Sequence, residues 1–136
     1  MTPAQQKLVQ ASFAQVVPIA DQAAMLFYEE LFQRDPKLRA LFKEDMTEQR
    51  QKLMAMLAIA VAHVGDWGKV SAAVRALGQR HAGYGVKPAD YATVGASLIA
   101  TLEKGLGAGF TSEIRAAWEA CIAFVAAEML GTAAPA

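Results

Sequence analysis

Few side chains in this sequence can carry chemistry beyond simple charge. The 136 residues include two histidines, His63 and His81, and one cysteine, Cys121. His81 closes an apolar stripe of Val70, Val74, Leu77, Gly78 and His81, whose steps follow one face of a helix. An imidazole in that position is either a core residue with a local hydrogen bond or a metal ligand. Gly83 and Gly85 follow closely, so the edge of a flat group can approach the backbone there. A second stripe, Leu53, Leu57, Ala60, Val61 and Val64, repeats the same steps, and Gln49 stands one turn before it. Opposite a metal, the Gln49 amide can donate one hydrogen bond to a bound ligand; facing water, it is an ordinary first-turn residue. His63 shares that face but lies 14 residues beyond Gln49. At the usual helical rise that is about 21 Å, too far to cap a metal beneath Gln49. His63 therefore reads as a surface histidine.

Helices must position these groups, and the class expected is all-α. Thr2 and Gln5 have capping-box spacing around Pro3, which suits a first helical turn. Pro18 is expected to open a second helix running to about Arg34, and Pro36 a short one ending near Phe42 and Lys43. The Gln49 helix begins near Asp45 to Thr47, and the His81 helix follows it. Pro88 opens a helix with Tyr91, Val94, Leu98 and Leu102 on one face, closed by Gly105, Gly107 and Gly109. Thr111 can cap a last helix carrying Ile114, Trp118, Cys121 and Val125. The sum is six substantial helices and one short one. A single domain over residues 1–136 is expected, frayed from Gly131 onward.

Composition narrows the function. Lys plus Arg and Asp plus Glu number 13 each, with no basic cluster, which argues against nucleic acid and anionic membrane surfaces. A lone cysteine closes no internal disulfide and, without histidine partners, makes no zinc site. No Rossmann fingerprint, P-loop, zinc-protease motif or nucleophile elbow is present. The start of the chain has neither a basic nor an apolar run, and no apolar stretch reaches membrane-spanning length, so a cytoplasmic protein is expected.

Several segments, in order, carry a family resemblance. Leu26-Phe27-Tyr28, Leu31-Phe32, Pro36 and Leu41-Phe42 resemble the second and third helices of globins. Arg80-His81-Ala82-Gly83-Tyr84-Gly85-Val86 is similar to a globin proximal-histidine segment. Tyr91 to Leu106, then Gly109-Phe110-Thr111 and Ala117-Trp118, resemble bacterial single-domain globins and neuroglobins. The resemblance implies a globin fold with haem sandwiched between distal and proximal helices and His81 as the iron ligand. It further implies Phe42 stacked on the haem, Leu53 over the iron and Val86 at the haem edge. Lys52 can reach a propionate or remain a solvated lysine. Tyr28 and Gln49 match the distal pair of many bacterial and invertebrate globins, whose donors hold bound O2. The haem implied is haem b, since no Cys-x-x-Cys-His is present to attach it covalently.

Tyr91 matches the tyrosine that, with a glutamate, makes the proximal imidazole of flavohaemoglobins more basic. The glutamate position falls near Ala133, and Glu128 is out of register by more than a turn. A backbone carbonyl near Leu77 is an equal candidate for the imidazole N–H. The function implied is reversible binding of O2, with NO and CO as further ligands, and no catalytic residue is assigned. The alternative is NO dioxygenation with an external reductase, since the flavin and nicotinamide domains of flavohaemoglobins are absent from this sequence. A helical module without haem is a third reading, disfavoured by His81 with Phe42. A monomer and a homodimer are both compatible with the sequence.

Overall fold

A computed structural model of the protein describes residues 1–83 and 85–131. Tyr84 and the part of the expected frayed tail beyond Gly131 lie outside the described residues. Within them the chain forms six α-helices and no strand. These are α1 Pro3–Val16, α2 Ala20–Arg34, α3 Thr47–Ala62, α4 Ser71–Gly83, α5 Pro88–Leu106 and α6 Ser112–Leu130.

Local chemistry sets most of these ends. The Thr2 hydroxyl accepts from the Gln5 N–H at 3.1 Å, and the Gln5 side chain accepts from the Thr2 N–H at 3.0 Å, completing a capping box. Thr111 accepts from the Ile114 N–H at 3.2 Å at the start of α6. Pro18 does not open α2 directly. It sits in a 3₁₀ turn, Val17–Ile19, because its missing N–H and its ring interrupt an α ladder. The Pro36 helix is likewise 3₁₀, Pro36–Leu41, and stops one residue short of Phe42. Two more 3₁₀ turns, Trp67–Lys69 and Gly107–Gly109, were not anticipated from the sequence. Gly107 takes φ 56° at the end of α5, a conformation that suits glycine.

Two apolar clusters share the interior. The first joins α1, α3, α5 and α6 through Val9, Phe13, Val61, Leu102, Ala117 and Trp118, with the Trp118 indole donating to Ser12 Oγ at 2.8 Å. The second is built from Phe27, Tyr28, Leu31, Leu38 and Met46, with Phe32, Phe42, Leu53, Val94 and Leu98 packed against it. Helix α4 contributes to neither cluster. It packs on α6 and on the turn at Trp67–Lys69, whereas α3 packs on α1 and α2. Consecutive in sequence, α3 and α4 therefore lean on different partners, and they make at most marginal backbone contact with each other. No helix of the described residues is long and apolar enough to cross a membrane.

Candidate haem site

Tyr28 comes from the middle of α2 and is buried, 6% exposed. Aromatic rings enclose it: Phe27 at 4.9 Å, Phe42 at 5.5 Å and Phe32 at 5.9 Å between centroids. Gln49, in the first turn of α3, donates from Nε2 to the Tyr28 oxygen at 3.1 Å. That bond occupies an acceptor site of the phenol and leaves its own O–H free to donate elsewhere. Burial raises the Tyr28 pKa above the ordinary phenol value, and the Gln49 hydrogen bond and nearby Arg50 only partly oppose it. The group is therefore a neutral donor at physiological pH.

Phe42 is held by the loop that follows the 3₁₀ helix. The Arg39 guanidinium gathers that loop by donating to the carbonyls of Phe42 at 3.2 Å, Lys43 at 3.0 Å and Glu44 at 3.0 Å. Phe42, Leu53, Val94 and Leu98 pack on the Tyr28 cluster, yet each keeps part of its surface uncovered by protein. The same is true along α3, where only Ala60 and Val61 are fully buried while Met56 and Leu57 stay half-buried. Half-covered apolar side chains from the loop (Phe42), α3 (Leu53) and α5 (Val94, Leu98) thus meet at the Tyr28 cluster.

Lys52 forms an exposed pair with Glu48 at 3.3 Å. Such a pair is worth about 0–1 kcal/mol, so exchange for another carboxylate costs little. His63 bonds Asp66 at 3.0 Å through Nδ1, away from Gln49.

His81 lies in the last turn of α4, half-buried, with its Nδ1–H donated to the Leu77 carbonyl at 2.8 Å. Of the two partners left open by the sequence, that is the carbonyl. The bond fixes the ring on its own helix and leaves Nε2 with a free lone pair. Tyr91, half-buried on α5, lines a groove of about 650 Å³ between α5 and α6 that does not include His81. Val86 is half-buried and donates its N–H to the His81 carbonyl at 3.0 Å. A turn links this segment to the Phe42 side: Gly85 has φ 92°, and a Cβ there would lie 3.7 Å from Leu41 Cδ2. The structure therefore brings Tyr28, Gln49, Phe42 and Leu53 together directly. It ties the His81 segment to them through the Gly85–Leu41 approach.

Glu128 is turned elsewhere. It is buried and accepts from Trp67 Nε1 at 3.1 Å and from Arg75 Nε at 3.3 Å. Leu41, Val94 and Leu98 border the site, although the sequence showed the last two only as a helix face. A helical stripe pointing at the site looks the same as one pointing at the core.

The residues present fit a haem. One imidazole with a carbonyl-held Nδ1, aromatic and aliphatic side chains left half-covered, and α3 and α4 packed on different partners suit a flat apolar iron macrocycle. Among the described residues, no three His, Cys, Asp or Glu side chains converge as a multi-ligand metal site.

Comparison with known proteins agrees. The globin family model matches residues 25–129, and the chain belongs to the globin family. Neuroglobin of Tetraodon nigroviridis is 30% identical over 119 residues, covering 77% of this chain and 75% of that protein. A flavohemoprotein of Rhizobium meliloti (strain 1021) is 33% identical over 95 residues, covering 68% of this chain. A flavohemoprotein of Bacillus subtilis (strain 168) is 30% identical over 108 residues, covering 77% of this chain. The chain spans about a quarter of each flavohemoprotein's length, 24% and 27%. The six helices form an all-α globin fold, and membership of the family implies haem-based binding of diatomic gases.

Proposed function

We propose that this protein binds O2 reversibly through one non-covalent haem b, with His81 as the iron ligand. The observation that carries the reading is the His81 ring, whose Nδ1–H is committed to the Leu77 carbonyl, which leaves Nε2 as the nitrogen able to ligate. The haem, when bound, supplies the gas-binding chemistry; the chain supplies its setting. Phe42 and Leu53, packed on the Tyr28 cluster, would hold the haem's apolar surface, Val86 would border it, and Lys52 could exchange its weak pair with Glu48 for a propionate. Gln49 orients the Tyr28 phenol, whose O–H would donate a hydrogen bond to a bound diatomic ligand that carries negative charge. A charge-assisted hydrogen bond of that kind is worth about 1.5–3 kcal/mol. Because a carbonyl rather than a carboxylate takes the Nδ1 proton, the imidazole gains little anionic character, which favours holding O2 over splitting O–O bonds. Tyr91, which lines the groove between α5 and α6, is given no part beside His81 in this reading.

A second reading has a specific support in the Gln49–Tyr28 pair and the flavohemoprotein relatives. It is oxidation of NO by O2 to nitrate, with one electron per turnover from an external reductase. The deciding experiment measures NO consumption by the oxygenated protein with a generic flavin reductase and NADH. Single-turnover loss without sustained consumption supports the carrier. Sustained consumption replaces the carrier with the dioxygenase. The iron–histidine stretching frequency gives a further check, and a carrier-like value is expected.

A further inference from the structure

Glu128 is a buried carboxylate with no part in the gas site. Its side chain is 5% exposed, and a charge so placed is retained only where donors compensate for lost water. Both of its donors belong to one unit. Trp67 lies in the 3₁₀ turn leading into α4, and Arg75 lies on α4 itself. Phe124, one turn before Glu128 on α6, meets the Trp67 ring edge-on at 5.0 Å. The next residue of α6, Met129, presents its backbone to Gly78 so closely that a Cβ there would lie 1.9 Å from the Met129 oxygen. Arg75 and Gly78 are neighbours on one face of α4, and His81 continues that face by another turn. Helix α4 packs on α6 and the Trp67–Lys69 turn, and on no other helix to a comparable extent.

Only the Glu128 end of its pair with Arg75 is buried, the Arg75 side chain being 62% exposed, so the pair adds little cohesion and the carboxylate serves chiefly to hold its two donors in place. We propose that Glu128 is a positioning residue. Through Trp67 and Arg75 it fixes the seat of α4 on α6, and so the placement of His81. The seat stands on the contacts alone; its consequence for haem rests on the proposed function.

The test compares the full chain with Glu128→Ala, Glu128→Gln and Trp67→Phe. Val9→Ala serves as a core control, since Val9 is 0% exposed and lies in the cluster that excludes α4. Amide hydrogen exchange of the protein without added haem reads the seat. Haem loss to an excess of acceptor apo-globin and the iron–histidine frequency read its consequence. Glu128→Ala, which removes both bonds, should raise exchange in α4 at least about tenfold while α1 and α2 stay unchanged, the least expected from losing the buried Trp67 bond together with the weaker, exposed Arg75 bond. Haem loss should quicken by about the same factor, with a shifted iron–histidine band. Glu128→Gln, which keeps an acceptor for Trp67, should fall between. Trp67→Phe, which removes one donor and keeps the ring, should show a smaller rise and decides the matter if Glu128→Ala does not fold. Unchanged α4 exchange, or α4 exchange rising as much in Val9→Ala, would overturn the seat. Loosened α4 with unaltered haem loss and frequency would overturn the positioning of His81. Failure of the wild type to take up haem would instead sink the proposed function, and exchange alone would then decide the seat.

Discussion

Replacing Gly78 with alanine puts a steric question to the contact between α4 and α6. A Cβ at Gly78 would lie 1.9 Å from the Met129 oxygen, 2.6 Å from its carbonyl carbon and 2.7 Å from its Cα. Real Cβ atoms essentially never come closer than 3.0 Å, so the helices must separate locally by at least 1.1 Å (3.0 − 1.9). All three atoms are backbone, and no flexible side chain can swing aside. Gly83, the last residue of the same helix, would have nothing within 4 Å of an added Cβ and serves as the control. Intrinsic helix propensity favours alanine by about 1 kcal/mol at an ordinary helical site. Overpacking costs about 1–3 kcal/mol, toward the upper end where backbone opposes the new atom. Gly78→Ala should therefore lose about 2 kcal/mol net, while Gly83→Ala should be neutral or slightly stabilising. Urea unfolding followed by far-ultraviolet circular dichroism measures both. With a slope of about 2 kcal/mol per molar, the Gly78→Ala midpoint should fall by about 1 M at unchanged slope. A Gly78→Ala midpoint at or above wild type would refute the reasoning, as would equal losses for the two glycines.

Other expectations follow from separate parts of the molecule. Tyr28→Phe should speed O2 dissociation about ten- to a hundredfold in flash photolysis and stopped flow, with a smaller effect on CO, a weaker acceptor; equal effects would point to sterics. Since burial raises the Tyr28 pKa, O2 release should show no Tyr28-linked change between neutral pH and the ordinary phenol range, and a step below that range would contradict a neutral donor. Glu30 is buried between Lys104 and Arg34, whose hydrogen bonds, Lys104 first, hold its carboxyl below the usual range. A depressed folded pKa gives stability that is present above the ordinary glutamate range and lost as pH falls. Glu30→Gln should thus cost up to about 1 kcal/mol at neutral pH, with the gap to wild type closing in acid; a constant gap would argue against the charge. Ser12→Ala removes the acceptor of the buried Trp118 indole and should cost about 1–3 kcal/mol in the same urea assay, whereas a neutral result would mean the indole finds another partner.

Much of the fold was legible because local rules govern it. The Thr2–Gln5 capping box, the Thr111 cap, the prolines near helix starts and the closing glycines lie within a few residues of the ends they set. The 3₁₀ turns escaped because they differ from α-helix by one step in hydrogen-bond spacing, which side-chain periodicity does not register. Of the site, the apolar stripes, His81 and Gln49 were visible by spacing, but Tyr28 and its pairing with Gln49 gained meaning only through family resemblance. They are 21 residues apart and meet through tertiary packing. Glu128 shows the same limit, since its partners Trp67 and Arg75 lie 61 and 53 residues away. Gly78 carries a local signal of its own. A glycine on the inner stripe of a helix marks close backbone approach, and here it faces α6.

The central claim is that His81 binds haem iron, and one absorption experiment tests it. The full chain and His81→Ala are each titrated with haemin, and ferric, ferrous and ferrous-CO spectra are recorded. The wild type should take up one haem per chain, with a Soret band and a ferrous-CO form typical of histidine ligation. His81→Ala should fail to retain haem, or retain it only with added imidazole. Identical spectra and retention in the two proteins would contradict the assignment.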